Sequence, residues 1–101
     1  MVTIENTKDT IIAYISGDID HHTAKGVRER IDGTIEIGMP KHLVLDFKNV
    51  TFMDSSGIGL VMGRYKLMES VGGDVKVSNA SAHIKKVMKL AGLDRLAVFC
   101  D

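Results

Sequence analysis

The sequence predicts an α/β fold in which a mostly parallel mixed β-sheet, begun by an N-terminal hairpin strand, has helices packed on it. From residue 10 onward, short apolar runs alternate with longer segments in which apolar residues recur every three or four positions. Such alternation produces right-handed crossovers between parallel strands. The chain has 101 residues, of which 45% are hydrophobic, so we expect one core and a single domain over residues 1–101.

The N-terminal segment predicts two short paired strands. Val2 and Ile4 alternate with polar residues, which is the pattern of a half-buried strand. The turn-like NTKD then leads into the apolar segment TIIAYIS at 10–16, which predicts the second strand of a hairpin. We expect Gly17 to end this second strand.

An amphipathic helix is predicted to begin near Thr23, because apolar residues follow it at every third or fourth position. The pattern stops near Gly38 and Pro40, which are helix-ending residues. The run HLVLDF at 42–47 comes next. Its four apolar residues predict a central parallel strand that is covered on both faces.

Two further helices and two further strands are predicted in the second half of the chain. The second helix begins near Ser56, and its apolar side is formed by Ile58, Val61, Met62, Tyr65 and Met68. The segment DVKVSNA at 74–80 predicts a strand, and Ser81 is a suitable cap for a third helix. Residues 97–99 are apolar and predict the last strand.

Charge and cysteine content narrow the classes of function. Thirteen basic and thirteen acidic residues cancel, which argues against nonspecific binding of nucleic acid or of an anionic membrane, so we expect protein or small-molecule partners. Cys100 is the only cysteine, so neither a disulfide framework nor a thiolate metal cluster is expected. The N-terminus does not resemble a signal peptide and no apolar run approaches a membrane span, so we expect a cytoplasmic protein.

The stretch FMDSSGIG at 52–59 is the strongest candidate for a functional site. It lies where the central strand, predicted to end near Val50, gives way to the second helix, and open α/β sheets place functional groups at such carboxyl ends. Asp54 or Ser55 can cap the helix, which accounts for one polar residue. Three successive polar residues, followed by glycines that cost about 1 kcal/mol each relative to alanine in a helix, indicate a further role.

Two enzyme-like interpretations of this stretch fit poorly. The residue two positions before Ser55, like the one before Ser56, is not the glycine that the G-x-S-x-G motif of serine hydrolases requires. Gly57 and Gly59 are followed by Gly63, one position late for the dinucleotide motif G-x-G-x-x-G. Gly59 and Gly63, four residues apart, instead predict close packing of the helix.

Metal-dependent and other catalysis is not expected either. His21 and His22 are adjacent, and no third ligand stands at a suitable spacing, so they are predicted to be solvated or capping residues rather than metal ligands. No general base can be placed beside either serine from the sequence, so we predict no catalytic residue and no enzyme activity.

A phosphorylation switch is the remaining interpretation of the stretch. A serine hydroxyl exposed at a helix N-terminus can accept a phosphate, which adds about two negative charges and three acceptor oxygens. Free helix N–H groups would stabilise that phosphate, while Asp54 would concentrate negative charge at the surface. A partner docked there would be repelled although the domain stays folded.

Four motifs resemble, in the same order and over nearly the whole chain, the anti-anti-sigma factors of the STAS domain family, particularly those of spore-forming bacteria. The motifs DHHT and FMDSSG are more specific together than either is alone, and the order of elements predicted above agrees with this family. The matching segments are GDIDHHTA at 17–24, FMDSSGIGLVMGRYK at 52–66, VGGDVKV at 71–77 and LAGL at 90–93.

The resemblance implies a regulator of a sigma factor. Its implied partner is an anti-sigma factor that is also a serine kinase, which the unphosphorylated protein binds in the kinase's nucleotide-bound form, so that the sigma factor is released. Ser55, the serine directly after the aspartate of DSSG, is the implied phosphoacceptor. Phosphorylation ends binding, and a separate serine phosphatase restores it. The nucleotide and magnesium belong to the kinase, so no cofactor is expected here.

The partner-binding surface is expected to combine the two loops. Asp20, whose other possible role is to cap the helix near Thr23, should lie beside the FMDSSG loop because the carboxyl ends of parallel strands share one edge of the sheet. Leu60 and Leu67 lie opposite the predicted apolar side of the second helix and are candidates for an exposed apolar patch. The predicted partner-binding residues are Asp20, Thr23, Asp54, Ser56, Gly57, Ile58 and Leu60.

Two alternatives stay open at this point. The domain is alternatively a STAS module that binds a nucleotide or another small anion at the helix N-terminus, or a general stress-response or stressosome antagonist rather than a sporulation regulator. The chain also stops at Asp101, where related proteins continue, so a C-terminal helix seen in such proteins is expected to be lacking.

Overall fold

The computed structural model describes residues 1–100, apart from the side chains of Val98 and Cys100, so the expectations about Cys100 and the chain end at Asp101 lie outside the described part. Within that range, five strands form one sheet in chain order: β1 Val2–Thr7, β2 Thr10–Ile19, β3 His42–Met53, β4 Asp74–Ser78 and β5 Val98–Cys100. The helices are α1 Ala24–Gly38, α2 Ser55–Ser70 and α3 Ala82–Leu90, and a 3₁₀ turn at Leu93–Arg95 precedes β5.

The sheet is mixed, as predicted. β1 pairs antiparallel with β2, while β2, β3, β4 and β5 pair with their neighbours in parallel. Because the parallel strands follow one another in chain order, right-handed crossovers place all the connecting helices on the same face. The main core lies between that face and the helices, and it includes Ile11, Ala13, Ile15, Leu43, Leu45, Phe47, Val75 and Val77.

The opposite face of the sheet has no helix on it in the described part of the chain. Tyr14 lies on this face and is 39% exposed, and Val44 is only partly buried. The prediction that the strand at 42–47 is covered on both faces is therefore wrong. A sheet whose strands are added in one direction receives its helices on one side, and the apolar run alone does not reveal that direction.

Two strands extend further than their sequence pattern predicted. Gly17 does not end β2; it has a φ of 82°, and the pairing of β2 with β3 shifts register on either side of it. A glycine in this left-handed conformation is typical of a β-bulge. The strand continues to Ile19, and β3 continues past Val50 to Met53, so that Ile19 lies opposite Met53.

The buried side of α2 differs from the predicted one, because it also includes residues that face α1. Leu60 is only 3% exposed, so the expectation that it contributes to an exposed apolar patch is wrong, and Leu67 is partly buried. Of the five residues predicted as the apolar side, Val61 and Met68 are fully buried, while Ile58, Met62 and Tyr65 are partly buried and pack against the core. The physical reason is that α2 packs against both the sheet and α1, so its buried side is wider than one sequence stripe.

The contact between α1 and α2 also holds an ion pair. Arg64 Nε lies 2.8 Å from Asp32 Oδ1, and the side chains are 7% and 26% exposed. Burial raises the pKa of Asp32 and lowers the pKa of Arg64, because it disfavours the charged form of each.

None of the helices within residues 1–100 has the length and apolar character that crossing a bilayer requires.

Candidate functional site

The structure brings the DHHT and FMDSSG loops together at the carboxyl edge of the sheet. The last residues of β2 and β3, Ile19 and Met53, are paired, and the backbone N–H of Asp54 donates a hydrogen bond of 3.1 Å to the carbonyl oxygen of Ile19. Asp20 and Asp54 therefore begin their loops at the same level. The predicted proximity of the two loops is confirmed.

Asp54 caps α2. Its backbone is extended, and its Oδ1 accepts a hydrogen bond of 2.7 Å from the backbone N–H of Ser56. Its carbonyl oxygen accepts a second bond, of 3.0 Å, from the N–H of Gly57. A carboxylate at this position satisfies a free N–H group and is favoured by the positive end of the helix dipole. Of the two residues considered as caps, Asp54 therefore has that role.

Ser55 is thereby left free of the capping task. It is the first residue of α2 and its side chain is exposed. Within residues 1–100, no hydrogen bond to its hydroxyl is observed. Ser56, the second residue of the helix, is by contrast partly buried. Of the two serines, Ser55 therefore presents the more accessible hydroxyl to another protein.

The three glycines of α2 differ in what surrounds them. Gly57 is buried, and a Cβ there would overlap the side chain of Met53, so this glycine allows the helix to start close to the end of β3. A Cβ on Gly59 or Gly63 would meet no atom within 4 Å. The prediction that Gly59 and Gly63 serve close packing is therefore wrong for contacts within this chain.

Asp20 and Thr23 form a closed turn before α1. Asp20 Oδ1 accepts hydrogen bonds from the N–H groups of His22 at 2.8 Å and Thr23 at 3.1 Å. The Thr23 hydroxyl accepts a bond of 3.0 Å from the N–H of Asp20 and donates one of 2.8 Å to the carbonyl of Asp18. These N–H groups lower the pKa of Asp20 by stabilising its ionised form. Because His22 and Thr23 precede α1, these bonds close the turn before the helix, and no side chain caps α1 itself. The Asp20 side chain is 31% exposed.

Sequence reasoning missed Phe52 as a surface residue. Phe52 is 52% exposed and directly precedes Met53 at the end of β3, opposite Asp18 of β2. A hydrogen bond of 2.8 Å from the Thr51 hydroxyl to Asp18 Oδ1 holds the two strand ends together. The sequence did contain a signal for this position. If the alternation of side chains along the strand is continued to residue 53, Phe52 lies on the face opposite Met53. The early predicted end of the strand obscured it.

The two adjacent histidines lie at the rim of the site. His21 and His22 are exposed, and their ring centroids are 4.0 Å apart at an angle of 37°. The two rings are therefore close to each other. Within the described residues, no three His, Cys, Asp or Glu side chains are grouped so that they could hold a metal ion.

The sequence of this chain is similar to a known protein family and to several characterised proteins. The STAS domain family model matches residues 1–100. An anti-sigma F factor antagonist of Paenibacillus polymyxa is 35% identical over 100 residues, which cover 99% of this chain and 86% of that protein. An anti-sigma-B factor antagonist of Bacillus subtilis is 30% identical over 92 residues, which cover 91% of this chain and 83% of that protein.

Solved structures support the same relationship. The anti-sigma factor antagonist SpoIIAA in its unphosphorylated form superposes with a TM-score of 0.86 at 31% identity, covering all of this chain and 89% of that one. The phosphorylated form of SpoIIAA, described as a Bacillus cell fate determinant, gives a TM-score of 0.79 at 31% identity and covers all of this chain and 92% of that one. The chain therefore belongs to the STAS domain family and, within it, to the anti-sigma factor antagonists.

Proposed function

We propose that this protein binds an anti-sigma factor that is also a serine kinase, displaces the sigma factor, and is released when the kinase phosphorylates Ser55. The observation that carries the proposal is the exposed hydroxyl of Ser55 at the first position of α2. Its neighbour Asp54 performs the capping, so modification of Ser55 removes no hydrogen bond seen in the described structure. Similarity to a protein solved in both unphosphorylated and phosphorylated forms supports this assignment.

Charge provides the mechanism of release. The carboxylates of Asp20 and Asp54 belong to neighbouring loops, and both accept hydrogen bonds from backbone N–H groups. A phosphate on Ser55 adds about two negative charges to this surface. Its oxygens would lie at the positive end of α2, so the modified loop remains compatible with the fold while a docked partner is repelled.

The other partners follow from this cycle. A serine phosphatase would remove the phosphate and restore binding, and the kinase would supply the nucleotide and magnesium, so the protein acts as a substrate and binding partner without a catalytic role of its own. Exchange with a sigma factor would take place in the cytoplasm.

We favour an anti-sigma factor of the sporulation type over one of the general stress-response type. The identity to the anti-sigma F factor antagonist is 35%, against 30% to the anti-sigma-B factor antagonist.

The test is phosphorylation in vitro with site-resolved mass spectrometry. The purified protein, a Ser55→Ala variant and a Ser56→Ala variant are incubated with ATP and the candidate kinase. We expect phosphate on Ser55 in the wild type and in Ser56→Ala, and none in Ser55→Ala, which should still bind the nucleotide-loaded kinase.

Two results would contradict the proposal. Phosphate incorporation into Ser55→Ala at the wild-type level would show that the site is wrong. Tight binding of ATP or GTP to the protein alone, measured by calorimetry, together with no binding of a kinase that is active on another antagonist, would favour the small-anion STAS module instead.

A further inference from the structure

We propose that a groove between α1 and α2, next to the site, receives an acidic segment of the anti-sigma partner. This inference rests on the proposed function and names the chemistry of the partner's contact. We call it the basic groove; the residues that define it are His21, Lys25, Arg28, Ser56, Gly59 and Leu60.

The groove has a charged wall and an apolar floor. Its volume is about 330 Å³, which is large enough for one or two side chains of a partner. His21, Lys25 and Arg28 follow one another at intervals of four and three residues, so they line the side formed by α1 and the loop before it. Leu60 is 3% exposed and forms part of the floor from α2.

The charge of the lining selects the partner's chemistry. No acidic side chain lines the groove within the described residues, although the whole chain is neutral, with 13 basic and 13 acidic residues. Lys25 is 4.0 Å from Glu29, but both side chains are largely exposed, and such a pair contributes little. Asp32, one turn along α1 and outside the lining, partly balances the charge of Arg28. A carboxylate-rich segment entering the groove would still meet Lys25 and Arg28 on one wall, with no carboxylate among the lining residues.

Gly59 keeps this groove open. A glycine within a helix costs about 1 kcal/mol relative to alanine, and packing explains that cost at Gly57 but not at Gly59. A Cβ at Gly59 would project into open space and narrow the groove. No atom of the described residues fills that space, so it is open to a side chain of a partner.

The groove also connects docking to the proposed switch. Ser56 lines the groove and directly follows Ser55, so a phosphate on Ser55 would add its negative charge close to the basic wall. That charge offsets the attraction for an acidic segment. Phosphorylation would thus weaken the partner's hold in the groove as well as repel it from the two loops.

The experiment compares matched variants for binding to the nucleotide-loaded candidate kinase. The charge-reversal variant Lys25→Glu/Arg28→Glu is paired with Lys8→Glu/Lys41→Glu, which makes the same change in net charge at exposed residues near the opposite edge of the sheet. The groove-filling variant Gly59→Leu is paired with Gly63→Ala, which has open space at its Cβ but lies outside the groove. Circular dichroism and thermal unfolding establish that each variant is folded.

We expect the Lys25/Arg28 reversal to slow association about tenfold at low salt, with the difference shrinking as salt is added, while the Lys8/Lys41 reversal changes the rate far less. Gly59→Leu should weaken binding about tenfold or more, and Gly63→Ala should bind like the wild type. Equal effects of both charge reversals, or unchanged binding by folded Gly59→Leu, would overturn the groove assignment even when Ser55 is phosphorylated normally. A wild-type protein that neither binds the kinase nor accepts phosphate would overturn the proposed function and this inference with it.

Discussion

Asp54 and Ser55 occupy consecutive positions at the start of α2 and have different tasks. The carboxylate of Asp54 accepts the N–H of Ser56 at 2.7 Å, and the hydroxyl of Ser55 faces solvent. Because the cap uses the side chain of Asp54, the proposed phosphorylation of Ser55 would leave the cap in place. The buried Gly57 lets this loop lie close to the end of β3, and the closed turn of Asp20 and Thr23 forms the neighbouring loop.

The contrast between Gly57 and Gly59 predicts opposite effects of the same substitution. Gly57→Ala should lower the free energy of unfolding by about 1 to 2 kcal/mol, since the new Cβ overlaps Met53 and the repacking exceeds the gain in helix propensity. Gly59→Ala should raise it by up to about 1 kcal/mol, because its Cβ meets nothing. Urea unfolding followed by circular dichroism measures both. A stabilising Gly57→Ala would show that Met53 can move aside without cost.

Asp20 predicts a pH dependence of stability. The N–H groups of Thr23 and His22 lower its pKa below the usual 3.8. The ionised side chain therefore contributes stability that is present above that value and is lost as the pH falls through the lower pKa of the folded state. Asp20→Asn keeps an acceptor oxygen but does not titrate, so its unfolding free energy should decline less than that of the wild type as the pH falls below about 4. Parallel curves for the two proteins would contradict this role of Asp20.

At the scale of elements, the packing of α1 on α2 sets the shape of the site. Val27 and Ile31 of α1 and Leu60 of α2 are buried in the common core, and the Arg64–Asp32 ion pair lies in the same interface. Arg64 is nearly buried, whereas the Asp32 side chain is 26% exposed. The 2.8 Å contact between Arg64 Nε and Asp32 Oδ1 is an ion pair without hydrogen-bond geometry, and these two atoms and Arg64 Nη1 are buried with no hydrogen-bond partner among residues 1–100. The two partners of this pair therefore differ in how much they depend on each other.

This asymmetry predicts different costs for removing each partner. Asp32→Ala should lower the free energy of unfolding by about 3 kcal/mol, because it leaves a buried guanidinium without a counter-charge. Arg64→Met should cost about 1 kcal/mol or less, because Asp32, 26% exposed, can be hydrated and the apolar chain fills the space. Chemical denaturation of the two single variants measures both costs. The double variant Asp32→Ala/Arg64→Met shows how far the two costs depart from additivity. Equal losses of unfolding free energy in the two variants would contradict the prediction that the more buried partner is the more costly one to leave unpaired.

At the scale of the whole molecule, the site lies at the edge of a rigid sheet. β2 and β3 are paired along most of their length, and their last paired residues, Ile19 and Met53, position the two loops. The core between the sheet and the helices lies below these loops. A charge change at Ser55 therefore alters the surface without disturbing the main contacts of the fold.

The position of Ser55 at the surface, outside the core, predicts that the proposed phosphorylation changes binding and not folding. Ser55→Asp, and the protein phosphorylated on Ser55, should unfold within about 1 kcal/mol of the unmodified protein, with any shift towards greater stability, because negative charge is favoured at the start of a helix. Binding to the nucleotide-loaded kinase should be lost in both. Differential scanning calorimetry and surface plasmon resonance on the same samples make the comparison. Unfolding of the phosphorylated protein at a much lower temperature would indicate release by local unfolding.

The sequence by itself determined the order of the strands and helices, the mixed sheet and the position of the DSSG loop, because periodicity, caps and turn residues are local properties. Only the tertiary structure decided that Leu60 is buried, that Phe52 is exposed and that His21, Lys25 and Arg28 line a groove with Ser56. Each of these depends on which side of α2 meets α1 and on how far β3 extends. Both are set by packing between segments distant in the chain, and a single stripe of apolar residues does not encode the direction of a second packing partner.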